Sequence, residues 1–166
     1  MVLDITLDQI ESATSIVYAE MQPTPQYCWP LLCENLGTEV WVKHENQTPI
    51  GSFKLRGGLV YFSHLAESSE KPKSVVSATK GNHGQSVGFA ARRYGIPTTI
   101  VVPYGNSTEK NNAMRSLGVK LIEHGDDFQS AREFAIKMAR ENSLKMIPSF
   151  DPLLVTGVAK IGRAHV

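Results

Sequence analysis

Ser74-Val-Val-Ser-Ala-Thr-Lys-Gly-Asn-His-Gly-Gln-Ser86 runs from a short β-rich segment into a glycine-rich turn and then into a helical pattern. The same order recurs on either side. Thr98-Thr-Ile-Val-Val102 and Val119-Lys-Leu-Ile122 are further β-rich runs, and a short one follows at Lys145-Met-Ile147. Helical periodicity fills the intervals, most clearly over 127–141, where Phe128, Ala131, Phe134, Ala135 and Met138 share a face. Strands alternating with helices just long enough to cross over predict an α/β fold, a three-layer parallel sheet with helices on both faces. Binding loops in such folds lie at the carboxyl ends of strands, where Gly81 to Gly84 falls.

Upstream, Thr6 followed by Gln9 forms a capping-box pattern, and Ile10, Ala13, Ile16 and Val17 then recur at helical spacing, predicting a helix over 7–20. Pro23 and Pro25 end it. After an irregular stretch, Glu39-Val-Trp-Val-Lys-His-Glu45 alternates as a half-buried strand does, a turn follows from Gln47 to Gly51, and a helix begins near Ser52.

Composition narrows the functional classes. At 166 residues with a net charge of +1, the chain can bury one ordinary core and carries no basic run or aromatic-basic stripe to track a phosphate backbone, so nucleic acid is not expected as a partner. No apolar run approaches the ~18 residues of a membrane span, and the acidic N-terminus lacks the marks of a secretory leader. Cys28 and Cys33 have no second Cys or His pair at ligand spacing, which suggests neither zinc nor a disulfide framework. No metal is expected, and a soluble, cytoplasmic location is.

The chemistry concentrates on Lys54 in Gly51-Ser-Phe-Lys-Leu-Arg-Gly-Gly58, one helix and one strand before the Gly81 turn. A nucleotide site fits poorly: Gly81, Gly84 and Gly88 do not form G-x-G-x-x-G, no G-x-x-x-x-G-K-[ST] occurs, and no acidic residue ends the following strand. The other reading gives Lys54 to imine chemistry, with Asn82 offering an amide to a planar cofactor. An amine nucleophile requires a partly desolvated lysine.

The stretches Thr24-Pro25, Val40 to Asn46, Thr48 to Gly58 and Ser77 to Ser86 resemble, in order and spacing, the fold-type II pyridoxal-phosphate enzymes, and most closely the threonine/serine dehydratases. The resemblance spans about 20–160. It implies pyridoxal 5'-phosphate as cofactor, Lys54 as the imine-forming lysine and α-carbon base, Phe53 against the cofactor ring, and Asn82 on the ring hydroxyl. The substrate carboxylate would be received by the loop of Ser77, Thr79, Lys80, Gly81, Asn82 and His83. The implied reaction is dehydration and deamination of L-threonine or L-serine, and the implied assembly a homo-oligomer. Plain burial of Phe53 and a loop-shaping role for His83 stand beside these assignments; His44, His64 and His124 are expected at surface or satisfied positions.

Lys80 departs from the family pattern, in which racemases carry a serine at this point. A cation there favours a substrate with a second carboxylate, such as 3-hydroxyaspartate, unless it faces solvent. A 3-hydroxyaspartate ammonia-lyase, a racemase-like enzyme and a catalytically inactive domain are the alternatives. The family's phosphate loop and pyridine-nitrogen partner lie further downstream than these residues extend. By the resemblance, 1–50 is the N-terminal segment of a large cofactor domain, 51–150 a small α/β domain, and 151–160 the start of a return to the large domain. The final Ile161-Gly-Arg-Ala-His-Val166 resembles translated sequencing adapter, and is expected to be an artefactual tail on a fragment.

Overall fold

In the computed structural model, residues 4–159 and 161 are described. Four parallel strands, β3 (Val75–Ala78), β4 (Thr98–Val102), β5 (Lys120–Glu123) and β6 (Lys145–Met146), form a sheet in the order β5-β4-β3-β6. Its crossovers are α4 (Asn82–Arg93), α5 (Thr108–Ser116) and α6 (Phe128–Glu141). Period-two alternation divides the strands between two cores. Val75, Ile100 and Val102 face a cluster with Val87, Ala90 and Ala91 of α4, while Val76, Ala78 and Val101 pack on Ala131, Ala135 and Ala139 of α6. The three layers anticipated from the alternation are therefore present.

The order reverses beside β3: β4 lies on one side and β6, reached last, on the other. Ser77 fixes that junction by donating its hydroxyl to the Ile147 carbonyl at 2.9 Å. Open α/β sheets place their clefts where such a reversal leaves adjacent carboxyl ends uncovered.

Helix α1 (Leu7–Tyr18) starts on the expected capping box: Gln9 N donates to Thr6 Oγ1 and Thr6 N to Gln9 Oε1. The irregular stretch of the sequence reading contains structure of its own. β1 (Gln26–Cys28) pairs antiparallel with β2 (Trp41–Lys43), and α2 (Pro30–Leu36) lies between them. Pro30 starts α2 because its fixed φ suits a first helical position, and Gly37 ends it at φ 64°. The strand read over 39–45 is thus shorter, and Glu45–Gln47 form a 3-10 turn. The proposed tail lies outside the described residues apart from Ile161.

Helix α3 (Lys54–Glu67) carries a buried guanidinium, Arg56. Its Nε and Nη2 donate to the two oxygens of Glu45, each at 2.8 Å, and Nη2 also reaches Thr24 Oγ1 at 3.4 Å. Thr24 donates to Glu45 Oε1 at 2.6 Å, and Tyr18 supplies its hydroxyl and ring face to the guanidinium. Burial alone raises the Glu45 carboxyl, but the hydrogen bonds from Arg56 and Thr24 and the nearby positive charges outweigh it and hold it below its ordinary value. Its contribution to stability is therefore present above the unfolded-state value and is lost as pH falls through the folded one. Glu45→Ala leaves a buried cation uncompensated and is expected to lower unfolding free energy by about 3 kcal/mol, measured by urea denaturation.

Candidate active site

Lys54 is the first residue of α3, and the turn before it is rigid for local reasons. Gly51 adopts φ 67°, which an L side chain rarely tolerates, and its N–H closes on Thr48 O at 2.9 Å. Buried Thr48 then accepts from Ser52 N and donates to Ser52 O, both at 2.9 Å. On the other side, Ser86 of α4 donates to the Lys54 carbonyl at 2.6 Å. The backbone of Lys54 is thus held from the turn and from the neighbouring helix.

Phe53, Lys54, Gly57 and His83 line one cleft of about 120 Å³, with Ser149, Phe150 and three residues of α7 (Pro152–Ala159) completing it. Lys54 Nζ sits 5.2 Å from the centroid of the Phe53 ring. The cleft exists because α3 and α7 approach with no side chain between them: a Cβ on Gly57 would collide with the Leu154 carbonyl, and one on Gly157 with the Arg56 carbonyl. Glycine at both positions lets the two backbones touch.

His83 is the electrostatic counterpart of Lys54. Burial first, and the Lys54 charge second, push its imidazole from 6.5 down to about 4, against an opposing hydrogen bond to the Pro148 backbone. The ring is neutral at physiological pH, and its buried Nε2 has no hydrogen-bond partner among the described residues. A buried acceptor without a partner beside a primary amine marks a place where a polar group belongs.

The loop between β3 and α4 holds the other expected residues. Buried Thr79 accepts the N–H groups of Gly81 at 3.0 Å and Gly84 at 3.3 Å, so its oxygen shapes the loop from within. Gly81 lies under the Lys110 side chain, whose Cδ would be 2.6 Å from an added Cβ. Asn82 is the first residue of α4 and is exposed, rather than standing in the turn before the helix. Ser77 is buried and committed to β6. Lys80 is exposed, and its charge is one of the causes, after the hydrogen bonds to Ser130, that lower the Asp127 carboxyl at the start of α6.

Phe53, Lys54 and His83 are thus brought together in one cleft, whereas Ser77 and Thr79 serve internal bonds and Lys80 neighbours α6. Sequence reasoning missed Ser149, Phe150 and the α7 wall. Their only signal is the proline-flanked Pro148-Ser-Phe-Asp-Pro152, which does not say that β6 returns beside β3. The cleft lining is chemically compatible with the aldehyde and ring end of pyridoxal phosphate: a primary amine, an aromatic face and an unpartnered ring nitrogen, with the Asn82 amide outside the lining. Among the described residues, no cluster of His, Cys, Asp and Glu could hold a metal ion, and no helix is long and apolar enough to cross a membrane.

A family model described as "Pyridoxal-phosphate dependent enzyme" matches residues 17–164, and the chain belongs to that family. Among its relatives, it is 35% identical over 152 residues to the L-threonine dehydratase biosynthetic IlvA of Haemophilus influenzae, covering 91% of this chain and 29% of that protein. It is also 35% identical over 159 residues to the L-threonine ammonia-lyase of Thermotoga maritima, covering 95% of this chain and 39% of the relative. The chain therefore spans only about a third of the length of these curated relatives. Among solved structures it resembles threonine deaminase isoform 2 of Solanum lycopersicum with a TM-score of 0.82 at 31% identity, over 96% of this chain and 48% of that one. A pyridoxal 5'-phosphate-dependent aspartate racemase matches with a TM-score of 0.90 at 27% identity, over 96% and 50%.

The position of His83 has a thermodynamic consequence. Below 6.5 the unfolded chain takes up a proton that the folded chain refuses until about pH 4, so stability falls as pH falls across that window. In His83→Gln the slope of unfolding free energy against pH between those limits is expected to be shallower by up to one proton, about 1.4 kcal/mol per pH unit. Urea denaturation at a series of pH values reads it; identical slopes would refute the assignment.

Proposed function

We propose that this chain contributes the lysine-bearing part of a pyridoxal-phosphate-dependent dehydratase that converts a β-hydroxy amino acid, L-threonine or L-serine, to a 2-oxo acid and ammonia. The observation that carries this reading is the convergence of Lys54, Phe53 and His83 on one cleft, in a chain similar over most of its length to threonine dehydratases. When bound, the cofactor supplies an electron sink for the bond broken at the substrate α-carbon. Lys54 Nζ would hold the cofactor at its aldehyde carbon and, when free, would act as the base for the substrate α-proton. Phe53 would pack against the cofactor ring, and Asn82 would offer its amide to the ring hydroxyl. The loop backbone over Lys80, Gly81, Asn82 and His83, shaped from within by Ser77 and Thr79, would receive the substrate carboxylate. The β-hydroxyl leaves as water, and water is consumed again when the released product hydrolyses to the 2-oxo acid and ammonia.

The same reading divides the chain into a segment of a cofactor domain at 1–50 and a small α/β domain at 51–150, supported by the separate two-stranded and four-stranded sheets. Residues 151–160 then begin the return to the cofactor domain. It also makes the full-length protein a cytoplasmic homo-oligomer acting on a free amino acid rather than on nucleic acid. Because the chain spans only about a third of the length of its curated relatives, the 166 residues alone should hold the cofactor weakly, which gives the inactive-domain alternative a specific form.

Incubation with pyridoxal phosphate, borohydride reduction and peptide mass mapping test the lysine assignment. The reduced adduct is expected on Lys54 at low occupancy and to disappear in Lys54→Ala; equal labelling of surface lysines would defeat it. The 166-residue chain, which spans about a third of the length of its curated relatives, should by itself release no ammonia from threonine.

For substrate choice, the relevant residue is Lys80. It is exposed and shares its charge with Asp127, so its pull on a substrate carboxylate is screened by solvent. Lys80→Ala in the full-length protein is expected to lower turnover of 3-hydroxyaspartate relative to threonine by about two- to fivefold. An unchanged ratio would assign Lys80 to Asp127 alone.

A further inference from the structure

Away from the cleft, the β1–α2–β2 unit brings two free thiols together. Cys28 is the last residue of β1 and Cys33 lies one turn into α2, and their Sγ atoms are 3.4 Å apart. Both side chains are partly exposed. Backbone bonds hold the pair in place: Cys33 N donates to Trp29 O at 3.0 Å, and Trp29 N to Val40 O at 3.3 Å. Val40 N in turn donates to Cys33 Sγ at 3.2 Å. A disulfide requires a sulfur separation of about 2.05 Å, so closure needs a movement of about 1.4 Å, within reach of side-chain rotation. Among the described residues no third ligand makes the pair a metal centre.

We propose that Cys28 and Cys33 are a reversible dithiol–disulfide site, closed by exchange with a small disulfide such as oxidised glutathione. Cys33, deprotonated, attacks one glutathione sulfur and releases glutathione thiolate; Cys28, losing its proton, then attacks Cys33 Sγ and releases the second. The two protein thiols are oxidised by two electrons, the glutathione disulfide is reduced by two, and the two protons end on two glutathione thiols. The hydrogen bonding sets the order. Cys33 Sγ accepts the Val40 amide, and the two sulfurs share a hydrogen bond; the Cys28 thiol is pushed up first by that bond to Cys33 and then by burial. The Val40 amide aimed at Cys33 Sγ favours negative charge on that sulfur, which makes Cys33 the attacking one.

The bridge would fasten β1 to α2 and remain remote from the Lys54 cleft. A stapled loop this short removes little unfolded-state entropy, which suits a site that opens and closes rather than a permanent brace.

The test equilibrates the 166-residue chain in glutathione buffers of graded ratio, quenches with acid and maps peptides without reduction. The expected product is an intramolecular Cys28–Cys33 peptide lighter by two hydrogens, formed at a ratio of oxidised to reduced glutathione about tenfold lower than in the same chain unfolded in urea. Equal ratios in both states, or predominance of glutathione adducts or interchain dimers, would overturn the proposal. With folding verified by circular dichroism, Cys28→Ser should acquire glutathione on Cys33 faster than Cys33→Ser acquires it on Cys28. Equal rates would overturn the order of attack.

Discussion

A buried guanidinium has to be neutralised where it stands, and the placement of Arg56 in the third position of α3 constrains everything around Lys54. Two hydrogen bonds from Arg56 to Glu45 fix the 3-10 turn against the helix, Thr24 fixes the segment entering β1, and Tyr18 fixes the end of α1. A planar fork matched to a carboxylate is directional, unlike apolar packing, and admits few alternative arrangements of these pieces. Arg56 follows Lys54 by two residues, so the same first turn that anchors the charge also aims the amine. The burial of one cation and the half-burial of the other in the cleft are two results of one helix orientation.

That orientation is completed by close backbone contact rather than by side-chain packing. Gly57 and Gly157 let α3 meet α7, and Gly58 gives Ser86 room to reach the Lys54 carbonyl. Overpacking at such contacts costs about 1–3 kcal/mol through shifted backbone, and here the displaced backbone would be a wall of the cleft. The four-stranded sheet contributes the remaining wall by bringing the ends of β3 and β6 side by side, which places His83 and Phe150 together although they are far apart in sequence.

The alternation of strands and helices was legible because each element is decided locally: Thr6 and Gln9 cap α1 with each other, and Ala131, Ala135 and Ala139 form one face of α6 at helical spacing. Of the antiparallel pair, β2 was read within a longer strand but β1 was not, because it has only three residues, one of them exposed, leaving pairing rather than periodicity to define it. Lys54 was legible from its glycine-rich setting. Arg56 was not, since nothing in its own neighbourhood signals burial without Glu45, which lies in another element. Similarly, the C-x4-C spacing suggests no bridge until α2 folds back and sets the sulfurs in contact. Features that depend on two distant segments escape a reading made one segment at a time.

The electrostatics of the cleft follow from this geometry. Burial is the larger cause of the neutrality of His83 and the charge on Lys54 the smaller, while the bond to Pro148 opposes both. Coupling between two titrating groups is reciprocal, so any event that removes positive charge from Nζ also removes one of the two forces keeping the imidazole unprotonated. The free energy of a proton on His83 thus depends on the state of the lysine, through space and without movement of the backbone. A fold that buries Arg56 with its carboxylate while placing the neutral His83 beside Lys54 keeps the structural charge compensated and the charge in the cleft responsive to what binds there.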